Sequence, residues 1–329
     1  RARLLAARSN AQTLDWVGFI EEFSQRVLIE ERNGQSAINL RDVPRPQADD
    51  MLSVHGIALP ARHPTIIFGD GGSAKSYTAL YLAGELANMG KSIAYFDWEF
   101  AQDDHRDRLE RLFGIGMPKI IYARCEHALV YEMDRLRRIV RDEKIDYVVY
   151  DSIVFACDGP PEAAENAGRY FRAVRQIGPG SLHVAHVTKG ENGDQKPFGS
   201  VFWHNGARAT WYAKLLEDPT NERQIKIGFF NRKSNMGRLS PPVGFKVEFT
   251  KDRTYFAKDE PTDNPDMAIA LPIKQRLIHA LKHGSMSFKD IAENLGEKYN
   301  TVHKIISRDK RTFVVVGKEV GLLQQDSAK

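Results

Sequence analysis

The chain has 329 residues, of which 42% are apolar and 27% charged, and its formal net charge is +4. This composition is that of a globular protein with one large core and room for a small second domain, and it excludes a low-complexity or fibrous chain. No apolar run is long enough to span a bilayer. The only cysteines, Cys125 and Cys157, have neither the spacing of metal ligands nor a disulfide framework, which favours a reducing cytoplasm.

The first 60 residues are assigned to an N-terminal helical and linker segment. An apolar stripe at helical spacing predicts one helix, and a proline-containing linker follows it. This helix either packs on the core of its own chain or docks on a neighbouring subunit. The stripe consists of Leu14, Trp16, Val17, Phe19, Ile20, Phe23, Val27 and Leu28.

Residues 61–258 alternate strand and helix signals in the manner of a parallel sheet with crossover helices. The predicted class is therefore α/β, a RecA-like P-loop NTPase core with a mostly parallel sheet flanked by helices. In such sheets, ligands collect at the carboxyl ends of the strands. Strands are predicted at 66–68, 92–96, 119–122, 146–150, 182–187, 210–216, 224–230 and 243–249.

The stretch TIIFGDGGSAKS, from Thr65 to Ser76, is typical of a phosphate-binding loop between a strand and a helix. Glycines let backbone N–H groups surround a polyphosphate, Lys75 reaches the β- and γ-phosphates, and the Ser76 hydroxyl binds Mg²⁺. Ala74 departs from the pattern, since a second glycine is usual there, and the alternative is an ordinary Gly/Ser turn. The predicted nucleotide-binding residues are Gly69, Asp70, Gly71, Gly72, Ser73, Ala74, Lys75, Ser76 and Tyr77.

Three further residues at predicted strand ends complete a site for ATP hydrolysis with Mg²⁺. Asp151 follows an apolar strand and is the second candidate Mg²⁺ ligand beside Ser76. Glu99 is the candidate general base, with Asp97 as the alternative. His186 could sense the γ-phosphate or polarise the water, although a histidine at a strand end is as often a hydrogen-bonded structural residue.

A cation must also stabilise the developing negative charge. Arg208, Arg232 and Lys233 are the candidates, and a neighbouring subunit would supply the group in trans. Each of the three could instead be a solvated surface charge.

The order of the motifs GDGGSAKS, FDWE, VVYDS, HVAHVTK, PFGS and GARATW resembles the plasmid RepA-type hexameric helicases and related RecA-like ATPases of mobile elements. The resemblance covers about residues 64–249. It implies that Glu99 is the catalytic glutamate, that His183 to His186 form a histidine motif, and that Arg208 acts across a subunit interface. It also implies a ring-forming, hexamer-type ATPase stimulated by nucleic acid, in which the loop Gly190–Lys196 faces bound single-stranded DNA.

The last 60 residues carry the basic character of the chain, with 11 Lys and Arg against 6 Asp and Glu. Residues 259–269 have the composition of a linker. From 270 to 329, three helices and a two-stranded hairpin are predicted, as in a winged helix-turn-helix that binds duplex DNA or, alternatively, protein. Ser287 and Asp290 resemble a capping box, and Asn300 is expected to cap the third helix. The DNA-binding candidates are Lys196, Asn300, Thr301, His303, Lys304, Arg308, Lys310 and Arg311.

The sequence thus predicts an oligomeric ATPase that acts on DNA as a helicase, translocase or remodelling enzyme of replication or of a mobile element. The alternative is an ATP-gated DNA-binding regulator or partitioning-type factor, in which hydrolysis is only a switch. No membrane partner is expected.

Overall fold

The computed structural model describes residues 15–33, 37–44, 51–186, 197, 199–216, 223–260, 267, 271–282 and 284–323. The chain divides into two compact units, Arg1–Ala48 and Asp49–Lys329. In the first unit, helix α1 (Trp16–Asn33) forms over the predicted apolar stripe, and the rings of Phe19 and Phe23 stack with their centroids 6.4 Å apart. What α1 packs against stays a prediction.

The second unit contains a large α/β core. Its strands alternate with helices in the order that the hydrophobic pattern predicts, and helices 102–113, 153–156 and 201–206 are additions that the pattern did not reveal. The elements are β1 (Met51–Val54), β2 (Ile57–Pro60), β3 (Pro64–Gly69), α2 (Lys75–Asn88), β4 (Ile93–Asp97), α3 (Gln102–Phe113), β5 (Ile120–Arg124), α4 (Leu129–Asp142), β6 (Tyr147–Asp151), α5 (Ile153–Ala156), α6 (Ala164–Ile177), β7 (Gly180–His186), α7 (Val201–Gly206), β8 (Ala209–Leu216), β9 (Gln224–Ser234), β10 (Val243–Phe249) and β11 (Thr254–Asp259).

Nine of these strands form one sheet in the order β11-β10-β9-β8-β3-β7-β6-β4-β5. The six strands from β8 to β5 in this order run parallel, and β9, β10 and β11 extend the sheet antiparallel. All residues of β3, β4 and β6 are buried, since helices cover both faces of the parallel part. The predicted α/β class with a mostly parallel, helix-flanked sheet is confirmed.

The strand that precedes the glycine-rich loop lies inside the sheet and contributes to two cores. Ile66 and Phe68 belong to the hydrophobic cluster on one face, and Ile67 belongs to the cluster on the other, as the alternation of side chains along a strand requires. The hairpin β1–β2 packs with Ile67, because Val54 and Leu59 are buried in the same cluster. Residues 51–60, which the sequence assigned to the N-terminal segment, therefore pack with the α/β core.

The strand β9 differs from its prediction at its end. It continues to Ser234 rather than ending at Phe230, and Lys233 pairs with Thr210 of β8. Arg232 and Lys233 thus lie within a strand and not at the tip of a hairpin.

The C-terminal residues form three helices and a small antiparallel sheet, which we call the C-terminal module (271–323). The predicted three helices and hairpin are present, and a short strand pairs with the hairpin as well. Val302 and Ile306 are buried in its own core with Leu277. Its elements are α8 (Ile273–Leu281), β12 (Met286–Ser287), α9 (Phe288–Leu295), α10 (Tyr299–Arg308), β13 (Phe313–Val316) and β14 (Glu319–Leu322).

Two helix starts in the C-terminal module can be compared with their predictions. Ser287 is the N-cap of α9, and its side chain accepts a hydrogen bond from the Asp290 amide, as predicted. Asn300 is not a cap, because α10 begins one residue earlier and its N-cap is Lys298, which makes no side-chain cap. The prediction for Asn300 was therefore wrong by two positions.

Candidate active site

The loop Asp70–Ala74 connects the carboxyl end of β3 to the first turn of α2. Gly69 has to be glycine, because a Cβ there would lie 2.2 Å from the carbonyl oxygen of Ala213 on β8. Ala74, at φ 51° and ψ 31°, adopts the left-handed conformation that favours glycine and is the N-cap of α2. The missing second glycine therefore leaves the loop's turn intact, at the cost of local backbone strain.

The Lys75 side chain lies over this loop and is 6% exposed. Its ammonium group donates to the Asp70 carbonyl oxygen at 2.6 Å and to Ser73 Oγ at 3.4 Å. Burial lowers the pKa of Lys75, and the negative charges of Asp151, Asp70 and Glu99 oppose this shift. The cation thus lies among three acidic side chains at the carboxyl edge of the sheet.

Asp151, the last residue of β6, is fully buried beside the loop. Its Oδ2 accepts a 2.6 Å hydrogen bond from the Tyr95 hydroxyl, whereas Oδ1 has no hydrogen-bond partner in the part of the chain that the structure covers. Burial raises the pKa of Asp151 to about 6, against the lowering effect of the Tyr95 and Ser76 hydroxyls. A buried carboxylate oxygen without a donor, next to Ser76, is suited to a cation.

Glu99 follows β4 by two residues and is half-buried. Its Oε1 accepts a hydrogen bond from the Ser152 hydroxyl, which directly follows Asp151. Because Asp97 and Asp151 are register partners on neighbouring strands, the segments after them meet at one edge of the sheet. The carboxylates of Glu99 and Asp151 therefore face the same loop.

Asp97 is not suited to act as the general base that the sequence left open. Its carboxylate is fully buried and accepts hydrogen bonds from two backbone amides and from two side chains. A carboxylate whose lone pairs are occupied in this way has no lone pair free for a water molecule.

The two histidines of β7 have different environments. His186, at the end of the strand, is the register partner of Gly69, and burial followed by the positive charge of Lys75 lowers its pKa. His183 is fully buried, and its ring nitrogens are hydrogen-bonded at 2.8 Å to the hydroxyls of Tyr170 and Ser181. Burial lowers the pKa of His183 to about 3, so this residue is a neutral core histidine and not part of the site.

Arg208 lies at the opposite edge of the sheet from the loop of its own chain. Its amide donates to the carbonyl oxygen of Pro64, the first residue of β3, at 2.8 Å. The loop begins after Gly69 at the other end of this strand, about 16 Å away at roughly 3.3 Å per residue. Arg208, which is exposed, therefore does not act on its own chain's loop.

The other two cations of this edge have different partners. The Lys233 ammonium donates to the carbonyl oxygens of His204, Asn205 and Ala207 at 2.8–3.0 Å, at the C-terminal end of α7. Lys233 is thus a helix-capping residue and does not fit the predicted role of a charge-stabilising finger. Arg232 is exposed, and its guanidinium lies 5.6 Å from the ring centroid of Phe230.

The donor set suits a metal ion that is shared with a substrate. Among the residues that the structure describes, no group of three or more His, Cys, Asp and Glu side chains could hold a metal ion alone. Mg²⁺ is commonly bound by one or two protein oxygens together with substrate phosphates and waters. Ser76 and Asp151 fit this mode of binding.

The DNA-binding candidates of the C-terminal module lie mostly on its surface. Val302 and Ile306 face the core, which leaves the polar side of α10 exposed. Lys196 and the loop Gly190–Lys196 lie outside the described residues. The exposed candidates are Asn300, His303, Lys304, Arg308, Lys310 and Arg311, and Thr301 is half-buried.

The sequence analysis missed three contacts of the site. Tyr95 lies inside an apolar strand and gave no signal. Ser152 was visible as the residue after Asp151, and Asp97 as an acid two residues before Glu99, but their partners come from distant parts of the chain. The bonds of Ser152 and Asp97 fix Glu99, and that of Tyr95 fixes Asp151.

Together, the strand order and the loop define a P-loop α/β domain. No protein-family model matches the chain, and no curated protein sequence matches it. Among solved structures, it is similar to a KaiC-like protein of the hyperthermophilic archaeon Pyrococcus horikoshii, with 16% identity over 60% of this chain and 91% of the other, at a TM-score of 0.46. It is also similar to the ATPase domain of a replicative helicase, with 13% identity over 61% of this chain and 86% of the other, at a TM-score of 0.48.

Within the described part of the chain, no helix combines the length and the hydrophobicity that crossing a membrane requires.

Proposed function

We propose that the protein is a RecA-like, Mg²⁺-dependent ATPase that acts on DNA as a homo-oligomer, as a helicase or translocase. The observation that carries the proposal is the meeting of Lys75, Asp151 and Glu99 at one edge of the sheet, beside a glycine-rich loop at a helix N-terminus. This is the set of groups that nucleotide hydrolysis requires: a phosphate cradle, a metal ligand and a group that orients water.

Each side chain has a separate role in the proposed reaction. The loop amides and Lys75 bind the β- and γ-phosphates, and the lysine exchanges its hydrogen bond to Asp70 for phosphate oxygens. Ser76 and Asp151 would hold Mg²⁺, which supplies charge neutralisation at the phosphates. Glu99, held by Ser152, orients the attacking water and accepts its proton, while His186 lies beside the same phosphate position.

Two observations support an oligomer that acts on DNA. Arg208 is exposed and lies at the edge of the sheet remote from its own loop, where it can reach only the site of another subunit. The C-terminal module exposes basic side chains along and after α10, which suits contacts with duplex phosphates. Single-stranded DNA would lie in the ring, as the resemblance to RepA-type helicases implies.

The test is ATP turnover by the full chain with and without single-stranded DNA. We expect turnover in the wild type and its loss in Lys75→Ala. Lys246→Ala, which removes an exposed lysine of β10, is the matched control and should keep full turnover. An inactive wild type, or a fully active Lys75→Ala variant, would contradict the proposal.

Strand displacement separates the enzyme from a regulator. A helicase unwinds a tailed duplex with one polarity, whereas an ATP-gated DNA-binding factor hydrolyses ATP without displacing a strand.

A further inference from the structure

The backbone that leads from β4 to Glu99 is held by the side chain of Asp97. Asp97 Oδ1 accepts a hydrogen bond from the Glu99 amide, and Oδ2 accepts one from the Phe100 amide, both at 3.0 Å. Two consecutive amides bound to one carboxylate fix the direction in which the chain leaves the strand. The direction of the Glu99 backbone is therefore set two residues earlier.

Three further side chains hold Asp97 itself. His105 Nε2, from α3, lies 3.2 Å from Oδ2, and the Tyr122 hydroxyl, from β5, donates to the same oxygen at 3.0 Å. The Arg124 guanidinium lies 3.7 Å away. We call Asp97, His105, Tyr122 and Arg124 the Asp97 network. Burial acts to raise the pKa of Asp97, but the hydrogen bonds from His105, the Glu99 amide and Tyr122 outweigh it and lower the pKa.

The same network also binds the other side of this segment. The Tyr122 hydroxyl donates to the Phe100 carbonyl oxygen at 3.0 Å, and Arg124 donates to it as well. The N–H and C=O groups on both sides of Glu99 are thus bound to groups from three separate elements. Only the Glu99 side chain remains directed toward the loop, where Ser152 binds it.

We propose that Asp97 is a positioning residue that aims the Glu99 carboxylate at the attacking water, and that His105 keeps it in place. The proposal rests on the proposed ATPase function. Asp97 takes no part in the proton transfer itself, because its oxygens are occupied by donors. Its loss lowers the rate of the chemical step and leaves nucleotide binding unchanged, since no member of the network contacts the loop Asp70–Ala74.

The first test is a double-mutant cycle between Asp97 and Glu99. Asp97→Asn keeps the volume but replaces an acceptor oxygen with an NH₂ group, and we expect kcat to fall by about 10²-fold with an unchanged KM. In a Glu99→Gln background, the same change should lower the residual single-turnover rate by no more than about twofold, because there is no base left to aim. Equal losses in both backgrounds would overturn the proposal.

A second pair of variants separates hydrogen bonding from packing. His105→Gln keeps an N–H donor without the ring, and His105→Phe keeps the ring, which packs 4.6 Å from Tyr95 between centroids, without the donor. We expect kcat to be retained in His105→Gln and reduced in His105→Phe, with KM unchanged in both. The reverse order would mean that His105 only fills space. Absence of turnover in the wild type overturns the ATPase itself, whereas an active wild type with additive losses overturns only the positioning role.

Discussion

The Tyr95 hydroxyl donates a 2.6 Å hydrogen bond to Asp151 Oδ2, deep between two strands of the sheet. The bond occupies one carboxylate oxygen and leaves Oδ1 directed toward the loop without a partner among the described residues. Tyr95 thus orients the acid that is proposed to bind Mg²⁺, and it stabilises the charged form of that acid in a buried position.

The charge of Asp151 predicts the acid limb of activity. Because burial raises its pKa to about 6, turnover should fall as pH decreases through about 6. Tyr95→Phe removes a bond to the carboxylate, which raises the pKa further, and we expect the acid limb to move to higher pH by roughly one unit. Tyr147→Phe is the matched control, since the buried Tyr147 hydroxyl has no hydrogen-bond partner among the described residues. Identical pH profiles of the wild type and Tyr95→Phe would contradict the role of Tyr95.

The same group predicts how stability depends on pH. A carboxyl group with a raised pKa in the folded state binds more protons there than in the unfolded chain between pH about 4 and about 6. Its contribution therefore destabilises the fold above pH 6, and stability should rise as pH falls through this window. For a shift from 3.8 to about 6, the effect is at most about 3 kcal/mol. Asp151→Asn should abolish this contribution in urea unfolding measured at pH 5 and pH 7.

Ala74 occupies a backbone conformation that costs an alanine about 1–2 kcal/mol. Ala74→Gly relieves this strain but also increases the entropy of the unfolded chain, so we expect a net change in the free energy of unfolding of less than about 1 kcal/mol. Turnover should stay the same or rise. Lys144→Gly, at φ 51° and far from the loop, is the control for the backbone effect alone. A large loss of turnover in Ala74→Gly would mean that the loop holds its nucleotide in another way.

Lys233 should matter for stability. Lys233→Met keeps the apolar stem but removes the ammonium group that binds three carbonyl oxygens, and we expect a loss of about 1–3 kcal/mol in the free energy of unfolding. Arg232→Met, one residue away and exposed, should change stability by no more than about 0.5 kcal/mol. Equal effects of the two substitutions in chemical denaturation would disprove the capping role.

Arg208 should act only between subunits. We expect Arg208→Ala to fold normally and to lose turnover, like Lys75→Ala. A mixture of the two variants should regain part of the activity, because a subunit with an intact loop can then face a neighbour with an intact Arg208. Mixing either variant with an Arg208→Ala/Lys75→Ala double variant is the control and should restore nothing. Recovery in the control, or none in the test mixture, would exclude the trans role.

The C-terminal module should carry duplex binding. Lys304→Ala and Arg308→Ala in the full chain should each reduce the slope of log K against log salt by about one. Lys289→Ala, on the exposed side of α9, serves as the control, because its side chain is 80% exposed and is paired with Glu293. Salt-independent binding, or equal effects of all three substitutions, would favour a protein partner for the module.

The sequence by itself determined the α/β class, the loop and the set of acidic strand ends. Local patterns encode these features: buried strands appear as apolar runs, and glycines next to Lys75 mark the loop. Asp151 and Glu99 follow such strands directly, and parallel strands bring their carboxyl ends to one edge. The three helices of the C-terminal module were predicted for the same reason, with an error of two residues at Asn300.

Only the tertiary structure decided which polar side chains are already occupied. Asp97 and Glu99 look alike in the sequence, but donors from α3 and β5 occupy the first and leave the second available. Lys233 and Arg208 were equivalent candidates until β9 proved long enough to bring Lys233 to the end of α7. Whether a carboxylate or an ammonium is free depends on partners far away in the chain, and these become neighbours only when the strands are ordered in the sheet.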